Sequence, residues 1–145
     1  MPSLQDFKED YIVFLEAGFI AVNQADEDAT TKLFKASHLL NPKNVMSKVG
    51  MAYLHIHKLE LKQAQKLLNE VLKEEPDNEM AKTLLGLAMS MSPKEMEKGE
   101  QILHNVQQES KDKEIKELSG SALDFVDQFL KKSPTPVQGM NQKKK

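Results

Sequence analysis

The sequence lacks three residue types that carry much of protein chemistry. It contains no cysteine and no tryptophan, and all 20 of its basic residues are lysines. Without cysteine, disulfides, thiolate nucleophiles and cysteine-ligated zinc sites are excluded, which suits a reducing compartment. Without arginine, the bidentate guanidinium contact to phosphate or guanine is missing. The longest apolar runs span only a few residues, far short of the roughly 20 that a transmembrane helix needs, so no membrane insertion is expected.

What the sequence does contain fits one soluble globular domain. The chain has 145 residues, of which 39% are hydrophobic and 29% charged, with a formal net charge of −2. This length is sufficient for one buried core, and the charge provides no bulk attraction to nucleic acid. The N-terminus has no basic and then apolar segment, so no secretory signal is expected. Residues 133–145 hold two prolines, a glycine and three terminal lysines, which predicts a disordered basic tail.

Hydrophobic residues recur at three- and four-residue steps along most of the chain, which is the spacing of a helix with one buried face. No segment shows sustained alternation, so no strands are expected. The first predicted helix follows an N-cap at Ser3. Ser92–Glu95 combines serine, proline and glutamate at the spacing of a capping box, so the sixth helix is predicted to begin there. The pattern predicts seven helices, over about residues 4–22, 27–41, 44–57, 60–74, 78–91, 93–108 and 113–132.

Glycines and large apolar residues recur in register along these helices. The aligned sets are Gly18, Gly50 and Gly86, and then Phe34, Leu68 and Leu103. Pro42 and Pro76 lie 34 residues apart. This pattern resembles the tetratricopeptide-repeat family, in which each unit is an antiparallel helix pair. In that pattern the glycine faces a small residue where the two helices approach closest, and the large residue fills the gap to the next pair. The small residues are Thr30, Ala64 and Gly99.

The resemblance implies an all-α fold of three tetratricopeptide-like helix hairpins plus a C-terminal capping helix, wound into a right-handed superhelical solenoid. It covers residues 11 to about 111, with units at about 11–44, 45–78 and 79–111. Residues 113–132 would be the cap, which covers the apolar face that the last unit otherwise exposes. We therefore expect a single domain over residues 1–132. A helical bundle with a coincidental repeat is the alternative.

No set of residues in the sequence suggests catalysis or metal binding. His55 and His57 lie two residues apart, on opposite sides of a helix, and cannot chelate one metal ion. Glu100 and His104 lie one turn apart on one face, and an exposed pair is the simpler interpretation. A glycine-rich phosphate loop and a Gly-x-Ser-x-Gly nucleophile motif are both absent. We therefore expect a protein without enzymatic activity, metal or cofactor.

The repeat resemblance implies a concave groove lined by the first helix of each unit. Its lining would be largely apolar with few charges, so a clamp for charged peptide ends is not expected. Such a groove needs a partner, and the natural ligand is an amphipathic helix or an extended apolar segment. Packing of these residues against the chain's own terminal helices is the alternative. Family spacing places in the groove Ile12, Leu15, Phe19, Val22 and Asn23 of unit one, Asn44, Ser47, Met51, Leu54 and His55 of unit two, and Met80, Thr83, Leu87, Ser90 and Met91 of unit three.

A small acidic protein of three such repeats resembles the secretion chaperones of bacterial type III systems. One class holds the C-terminal helix of a needle subunit in the groove and prevents premature polymerisation, usually together with a small co-chaperone. The other class binds an extended segment of a secreted translocator protein. The size, the apolar groove and the basic tail favour the needle-subunit class, which implies a cytoplasmic bacterial protein with a secreted client. A general tetratricopeptide adaptor or scaffold and a homodimer that uses the same groove are the alternatives.

Overall fold

The computed structural model describes residues 1–131. It begins with a 3-10 helix over Leu4–Asp10, and residues 1–131 contain no strand. The α-helices of this part of the chain are α1 (Tyr11–Asn23), α2 (Glu27–Leu40), α3 (Met46–His57), α4 (Leu61–Glu74), α5 (Glu79–Ser90), α6 (Met96–Glu109) and α7 (Lys113–Phe125). A π-helical segment over Val126–Lys131 continues α7. The all-α fold expected from the periodicity is confirmed.

The helices pack as consecutive pairs. α1 packs on α2, α3 on α4 and α5 on α6, and the second helix of each pair contacts the helix that follows it. The first helices also form a series, in which α1 contacts α3, α3 contacts α5 and α5 contacts α7. Contacts between successive pairs are the arrangement of a helical repeat solenoid. The expected stack of helix hairpins closed by a final helix therefore matches the packing.

Phe34 fills the space between the first and second helix pairs. Its ring is 1% exposed and packs edge-on against Phe19, with 5.2 Å between the ring centroids. A Cβ atom added to Gly18 would lie 2.5 Å from this ring, and a Cβ atom added to Gly50 on the next pair would also overlap it. The close approach of the ring therefore requires glycine on both sides, and the role expected for Phe34 between two pairs is confirmed.

In the third helix pair, a glycine on each helix allows the two helices to approach closely. Gly86 on α5 and Gly99 on α6 face each other, since a Cβ atom at Gly99 would lie 2.6 Å from the carbonyl oxygen of Gly86. The buried Ser90 hydroxyl donates to that same carbonyl at 2.7 Å, so this hydroxyl has a hydrogen-bond partner within the helix pair. Leu103 is fully buried and packs against Leu123 of α7. α7 thus covers the end of the third pair.

Side-chain caps mark the start of three helices. Asp26 accepts from the backbone amide of Ala29 at 3.0 Å before α2, and Asn78 accepts from the amide of Ala81 at 2.9 Å before α5. Asp112 accepts from the first amides of α7 in the same way. These side chains satisfy amide groups that have no partner within the helix.

The capping box predicted at Ser92–Glu95 is wrong. These residues form a turn in which the amide of Glu95 donates to the carbonyl of Ser92 at 3.0 Å, and α6 begins only at Met96, without a side-chain cap. The Glu95 carboxylate lies 3.7 Å from the ammonium of Lys62 on α4. The helix therefore begins about one turn later than the capping box predicts.

Both ends of the described chain differ from the single helices expected there. Ser3 is the N-cap, and its amide donates to the Asp6 carboxylate at 2.7 Å, but Leu4–Asp10 is a 3-10 helix instead of the predicted α-helix. None of these seven residues is buried, so tertiary packing does not stabilise an α-helix there. At the other end, α7 changes to a π-helix at Val126. Lys132 and the predicted disordered tail at 133–145 lie outside the described residues.

Candidate functional site

An apolar groove of about 470 Å³ lies between α3, α5 and α7. Of the three first helices on which the sequence predicted a binding surface, α3 and α5 line this groove, and α7, the predicted cap, lines it with them. The lining contains no lysine, aspartate or glutamate. Its residues are Tyr53, Ile56 and His57 of α3, Leu59 of the following turn, Leu84, Leu87 and Met91 of α5 and its C-cap, and Leu118, Ser121, Ala122 and Phe125 of α7. The groove is therefore suited to an apolar, uncharged ligand surface.

Tyr53 forms much of the α3 side of the groove. Its hydroxyl donates to Oδ1 of Asn23 on α1 at 2.8 Å, and its ring packs edge-on against His57 with the centroids 4.5 Å apart. Burial raises the pKa of Tyr53, so the phenol stays neutral and continues to donate. The polar end of the side chain is thus satisfied at α1, and carbon atoms of the ring remain for the groove.

α5 forms the middle of the groove. Leu84 is buried, whereas Leu87 and Met91 lie one turn apart and are partly exposed. Leu87 also packs against the buried cluster around Leu103, which supports its side chain on the side away from solvent. Leu87 and Met91 were both predicted as groove residues, and the structure places both in the lining.

α7 contributes a wall that the sequence analysis did not predict. Leu118 and Phe125 lie two turns apart and line the groove with 36% and 38% of their surface exposed. Phe129 packs against Phe125 with the centroids 5.4 Å apart and is itself 63% exposed, so the apolar surface continues beyond the groove. A different side of α7 and its π-helical extension is buried against the rest of the protein and includes Ile115 and Val126. The seven-residue spacing of Leu118 and Phe125 is the signal that would have identified the second stripe.

Leu59 lines the edge of the groove from the turn between α3 and α4. Its backbone φ is 61°, in the left-handed region that residues other than glycine seldom adopt. Its side chain is 68% exposed. Helical periodicity could not identify this residue, because it belongs to neither helix.

Ion pairs hold the turn that carries Leu59. The Lys58 ammonium donates to Glu27 of α2 at 2.7 Å and to Glu60 at 2.8 Å, and the Glu60 carboxylate lies 2.7 Å from Nδ1 of His55. Hydrogen bonds to Glu27 and Glu60 raise the pKa of Lys58. Hydrogen bonds from Lys58 and then from His55 lower the pKa of Glu60. Both groups therefore stay charged at neutral pH, and the turn is tied to α2 and α3.

Five of the predicted groove residues are buried inside the stack, so the expectation that they form an accessible surface is wrong. Val22 and Leu54 pack around the Phe34 ring, where the first two helix pairs press on them from both sides. A charged substitution at Leu54 would therefore disturb the core before it tested binding. The buried residues are Val22, Ser47, Leu54, Thr83 and Ser90.

The remaining predicted apolar residues lie outside the lining of the groove. Ile12 is exposed on α1, and Met80 packs against the central core cluster. Met51 also lines a separate cleft of about 260 Å³ between α2, α3 and α4. The residues that pack around Phe34 are Leu15, Phe19 and Met51. The orientation of α3 about its axis therefore places Met51 against the first helix pair and Tyr53 and Ile56 in the groove.

Three of the predicted polar residues have partners within the chain. Asn44 accepts from the backbone amide of Met46 at 2.8 Å, at the start of α3. Asn23 and His55 bind the Tyr53 hydroxyl and the Glu60 carboxylate, as described above. Asn23, Asn44 and His55 thus hold the walls and turns around the groove, and the structure places none of the three in its lining.

Within residues 1–131, no helix combines the length and apolarity needed to cross a membrane. The same residues hold no group of three or more histidine, aspartate or glutamate side chains placed to bind a metal ion.

Glu100, which the sequence placed one turn from His104, lies 2.6 Å from the ammonium of Lys131. The Glu100 carboxylate raises the pKa of Lys131, and this ion pair joins the π-helical segment to α6.

The fold and the groove define a helical-repeat protein with an open apolar surface. A family described as "Bacterial type III secretion protein (HrpB1_HrpK)" matches residues 11–123. This range includes all of α1 to α6 and most of α7, and so most of the groove. The chain therefore belongs to this family of bacterial type III secretion proteins. No curated protein and no solved structure matches it.

Proposed function

We propose that this type III secretion protein is a chaperone whose groove binds an amphipathic helix of a self-associating needle subunit and prevents its premature polymerisation. The observation that carries the proposal is the groove between α3, α5 and α7, which is apolar and open and has no lysine, aspartate or glutamate in its lining. Membership of a type III secretion family supports a secreted client. The proposed role is binding, so it requires no catalysis, metal or cofactor.

The polarity of the lining favours a helical ligand over an extended one. A helix satisfies its own backbone amides and carbonyls, and can insert apolar side chains at i, i+3, i+4 and i+7. An extended segment brings unpaired backbone groups, each of which needs a partner when it leaves water. The only polar side chains that the lining supplies are those of Tyr53, His57 and Ser121. We therefore favour a needle subunit over a translocator segment.

The exposed anchors of the groove would contribute to binding of the client. Leu87, Leu118 and Phe125 are partly exposed in the free protein and would be covered by the client helix. Each contributes roughly 1.5–3 kcal/mol on full burial, and less when it is already partly covered. Ordering a disordered client segment costs about 2–5 kcal/mol.

Competition is the proposed mechanism. While the groove covers the apolar face of the needle subunit, that face is not free to contact another subunit. This protection is needed before export, so we propose the bacterial cytoplasm as the compartment, which cell fractionation checks. A small co-chaperone is the proposed second partner, because one groove covers only part of a client helix.

Leu118→Glu is the substitution that tests this proposal. A carboxylate at this position loses water when a client helix docks and finds no basic partner in the lining, so binding of the needle subunit is expected to fall at least about a hundredfold. Because the wild-type side chain is 36% exposed, the variant is expected to fold. Co-purification of the needle subunit from co-expressing cells measures binding, and circular dichroism measures helicity.

Leu39→Glu is the matched control for Leu118→Glu. Leu39 is an exposed leucine of α2 and is not part of the groove. The same change in charge there is expected to leave binding of the needle subunit intact. If the Leu118→Glu variant is helical and still retains the subunit, the groove is not the binding site and the proposal is wrong.

Other outcomes of these experiments would redirect the assignment. Retention of a translocator protein in place of the needle subunit would assign the chain to the translocator-chaperone class. Full solubility and stability without any client would indicate an adaptor or scaffold, because a dedicated chaperone is expected to depend on co-expression with its client. Sedimentation at two protein concentrations would reveal a homodimer that buries the groove.

A further inference from the structure

Leu59 occupies a backbone conformation that leucine avoids. It follows α3 with a φ of 61°, and the amide of Glu60 donates to the carbonyl of His55 at 2.8 Å across the turn. The amide of Leu59 donates to the carbonyl of Ile56 at 2.9 Å. These two bonds form a Schellman motif, whose left-handed position is usually glycine because a Cβ atom is crowded there. Leu59 therefore carries conformational strain.

The turn between α1 and α2 shows that this geometry does not require leucine. Ala25 has a φ of 58°, and its turn contains the same two hydrogen bonds, from Asp26 to the carbonyl of Ala21 at 3.0 Å and from Ala25 to the carbonyl of Val22 at 2.9 Å. The first unit thus closes the motif with the smallest side chain that has a Cβ atom. In the second unit the additional carbons of leucine contribute nothing to the turn itself.

Packing within the chain does not account for Leu59 either. The side chain is 68% exposed, so it contributes little to the burial of apolar surface in the free protein. It lies at the edge of the groove, beside the α3 wall that Ile56 and His57 form. A leucine that is strained in its backbone and exposed in its side chain lowers the stability of the free protein, and its position suggests what offsets that loss.

The neighbours of Leu59 hold it in place. Lys58, which precedes it, is tied to Glu27 at 2.7 Å, and Glu60, which follows it, is tied to His55 at 2.7 Å. Lys58 and Glu60 are also paired with each other at 2.8 Å. Strained residues persist where the surrounding structure over-determines the backbone, and such residues cluster at functional sites. The two backbone hydrogen bonds of the turn, with these surface ion pairs on either side, therefore hold the Leu59 backbone while its side chain faces solvent.

We propose that Leu59 is a contact residue of the client site, held in this strained turn so that its side chain meets the apolar face of the client helix. The inference rests on the proposed function of the groove and adds to it a residue from outside the helices. Because the backbone is already fixed, less conformational freedom is lost when the client binds.

Leu59→Gly tests the inference, because its two expected effects have opposite signs. Glycine adopts the left-handed conformation without a Cβ clash, so the Tm is expected to rise by about 1–4 °C. Loss of the side chain is expected to weaken binding of the labelled needle subunit about tenfold. Thermal unfolding followed by circular dichroism measures the first effect, and fluorescence anisotropy with the purified, labelled subunit measures the second.

Two further variants separate the backbone from the side chain. Ala25→Gly relieves the same conformation in the first unit, away from the groove, so the Tm is expected to change in the same direction while affinity is unchanged. Leu59→Ala keeps the Cβ atom in the left-handed region, so it is expected to weaken binding as the glycine variant does without the rise in Tm.

The comparison with Leu118→Glu distinguishes failure of this inference from failure of the proposed function. If Leu118→Glu abolishes binding while Leu59→Gly leaves affinity unchanged, Leu59 is not a contact residue and the groove assignment stands. If neither variant changes affinity, the groove is not the client site and both proposals are overturned. A lower Tm for Leu59→Gly would contradict the strain on which the inference depends.

Discussion

Replacement of Gly50 by alanine tests the packing between the first and second helix pairs. The added Cβ atom would overlap the ring of Phe34, which is 1% exposed. The ring cannot retreat toward α1, because it already lies so close to Gly18 that a Cβ atom there would be 2.5 Å away. Relief of the overlap therefore requires the two helix pairs to move apart.

Two opposing terms determine the magnitude of this effect. Alanine is favoured over glycine in a helix interior by about 1 kcal/mol. Overpacking a well-filled site costs about 1–3 kcal/mol, and confinement of the Phe34 ring on both sides places this site near the upper end. We therefore expect Gly50→Ala to lower the free energy of unfolding by about 2 kcal/mol. For a chain of this size the Tm would fall by roughly 6–8 °C.

Gly120→Ala in α7 is the matched control. The nearest atom to a Cβ added there is Nε2 of Gln107 at 2.9 Å, which lies at the end of a flexible side chain and can move. Helix propensity therefore dominates, and the Tm is expected to rise by about 2–3 °C. Thermal and urea unfolding followed by circular dichroism measure both variants.

A Gly50→Ala variant as stable as the wild-type protein would refute the reasoning about the Phe34 ring. A second check combines Gly50→Ala with Phe34→Leu. Because the smaller side chain makes room for the added Cβ atom, the double variant is expected to lose less stability than the sum of the two single variants. Strict additivity would show that the two positions do not compete for the same space.

Three further substitutions test the helix caps and the ion pairs. Asp112→Ala removes the acceptor for the first amides of α7 and is expected to lower stability by about 1 kcal/mol, whereas Ser92→Ala removes no cap and should leave the urea midpoint unchanged. Because the folded protein lowers the pKa of Glu60, its ionised form contributes stability that is present above about pH 4.5 and is lost as pH falls through the folded pKa. Glu60→Gln is therefore expected to lower the urea midpoint at pH 7 and to match the wild-type protein once Glu60 is protonated. Equal midpoints at pH 7 would show that the pair does not stabilise the fold.

The helices and their packing register could be predicted because both depend on spacing along the chain. In α4 the buried residues Ala64, Leu68 and Val71 follow the helical period that the sequence shows. The glycine and phenylalanine register was predictable because steric contact tolerates few alternatives. The capping box failed at Ser92–Glu95, where the chain forms a turn and α6 begins only at Met96. The Glu95 carboxylate instead lies 3.7 Å from Lys62 of α4, and a contact between distant residues leaves no mark on local spacing.

The groove was only partly predictable. Periodicity indicates which side of a helix is apolar, but two neighbouring helices can cover different parts of that side. Leu54 was therefore assigned to the groove although it packs around Phe34, whereas Leu87 was assigned to the same surface and does line it. No helical pattern identifies Leu59, and the helical period places Leu118 on the predicted capping helix without showing that it lines the groove.

The division of the hydrophobic core into two clusters affects the order in which the protein unfolds. Phe34 and its neighbours form one buried cluster, and the core of α3, α4 and α5 forms another. In stacked repeats the cooperativity of unfolding depends on the interfaces between neighbours. This interface contains the Phe34 ring with Val22 and Leu54, the Phe19–Tyr53 contact, and the Tyr53–Asn23 and Lys58–Glu27 contacts. We expect the first helix pair to be the part that opens earliest. Since α3, α5 and α7 build the groove, fraying of the first two helices would leave these three helices in place, but it would release Tyr53 from Asn23 and Lys58 from Glu27.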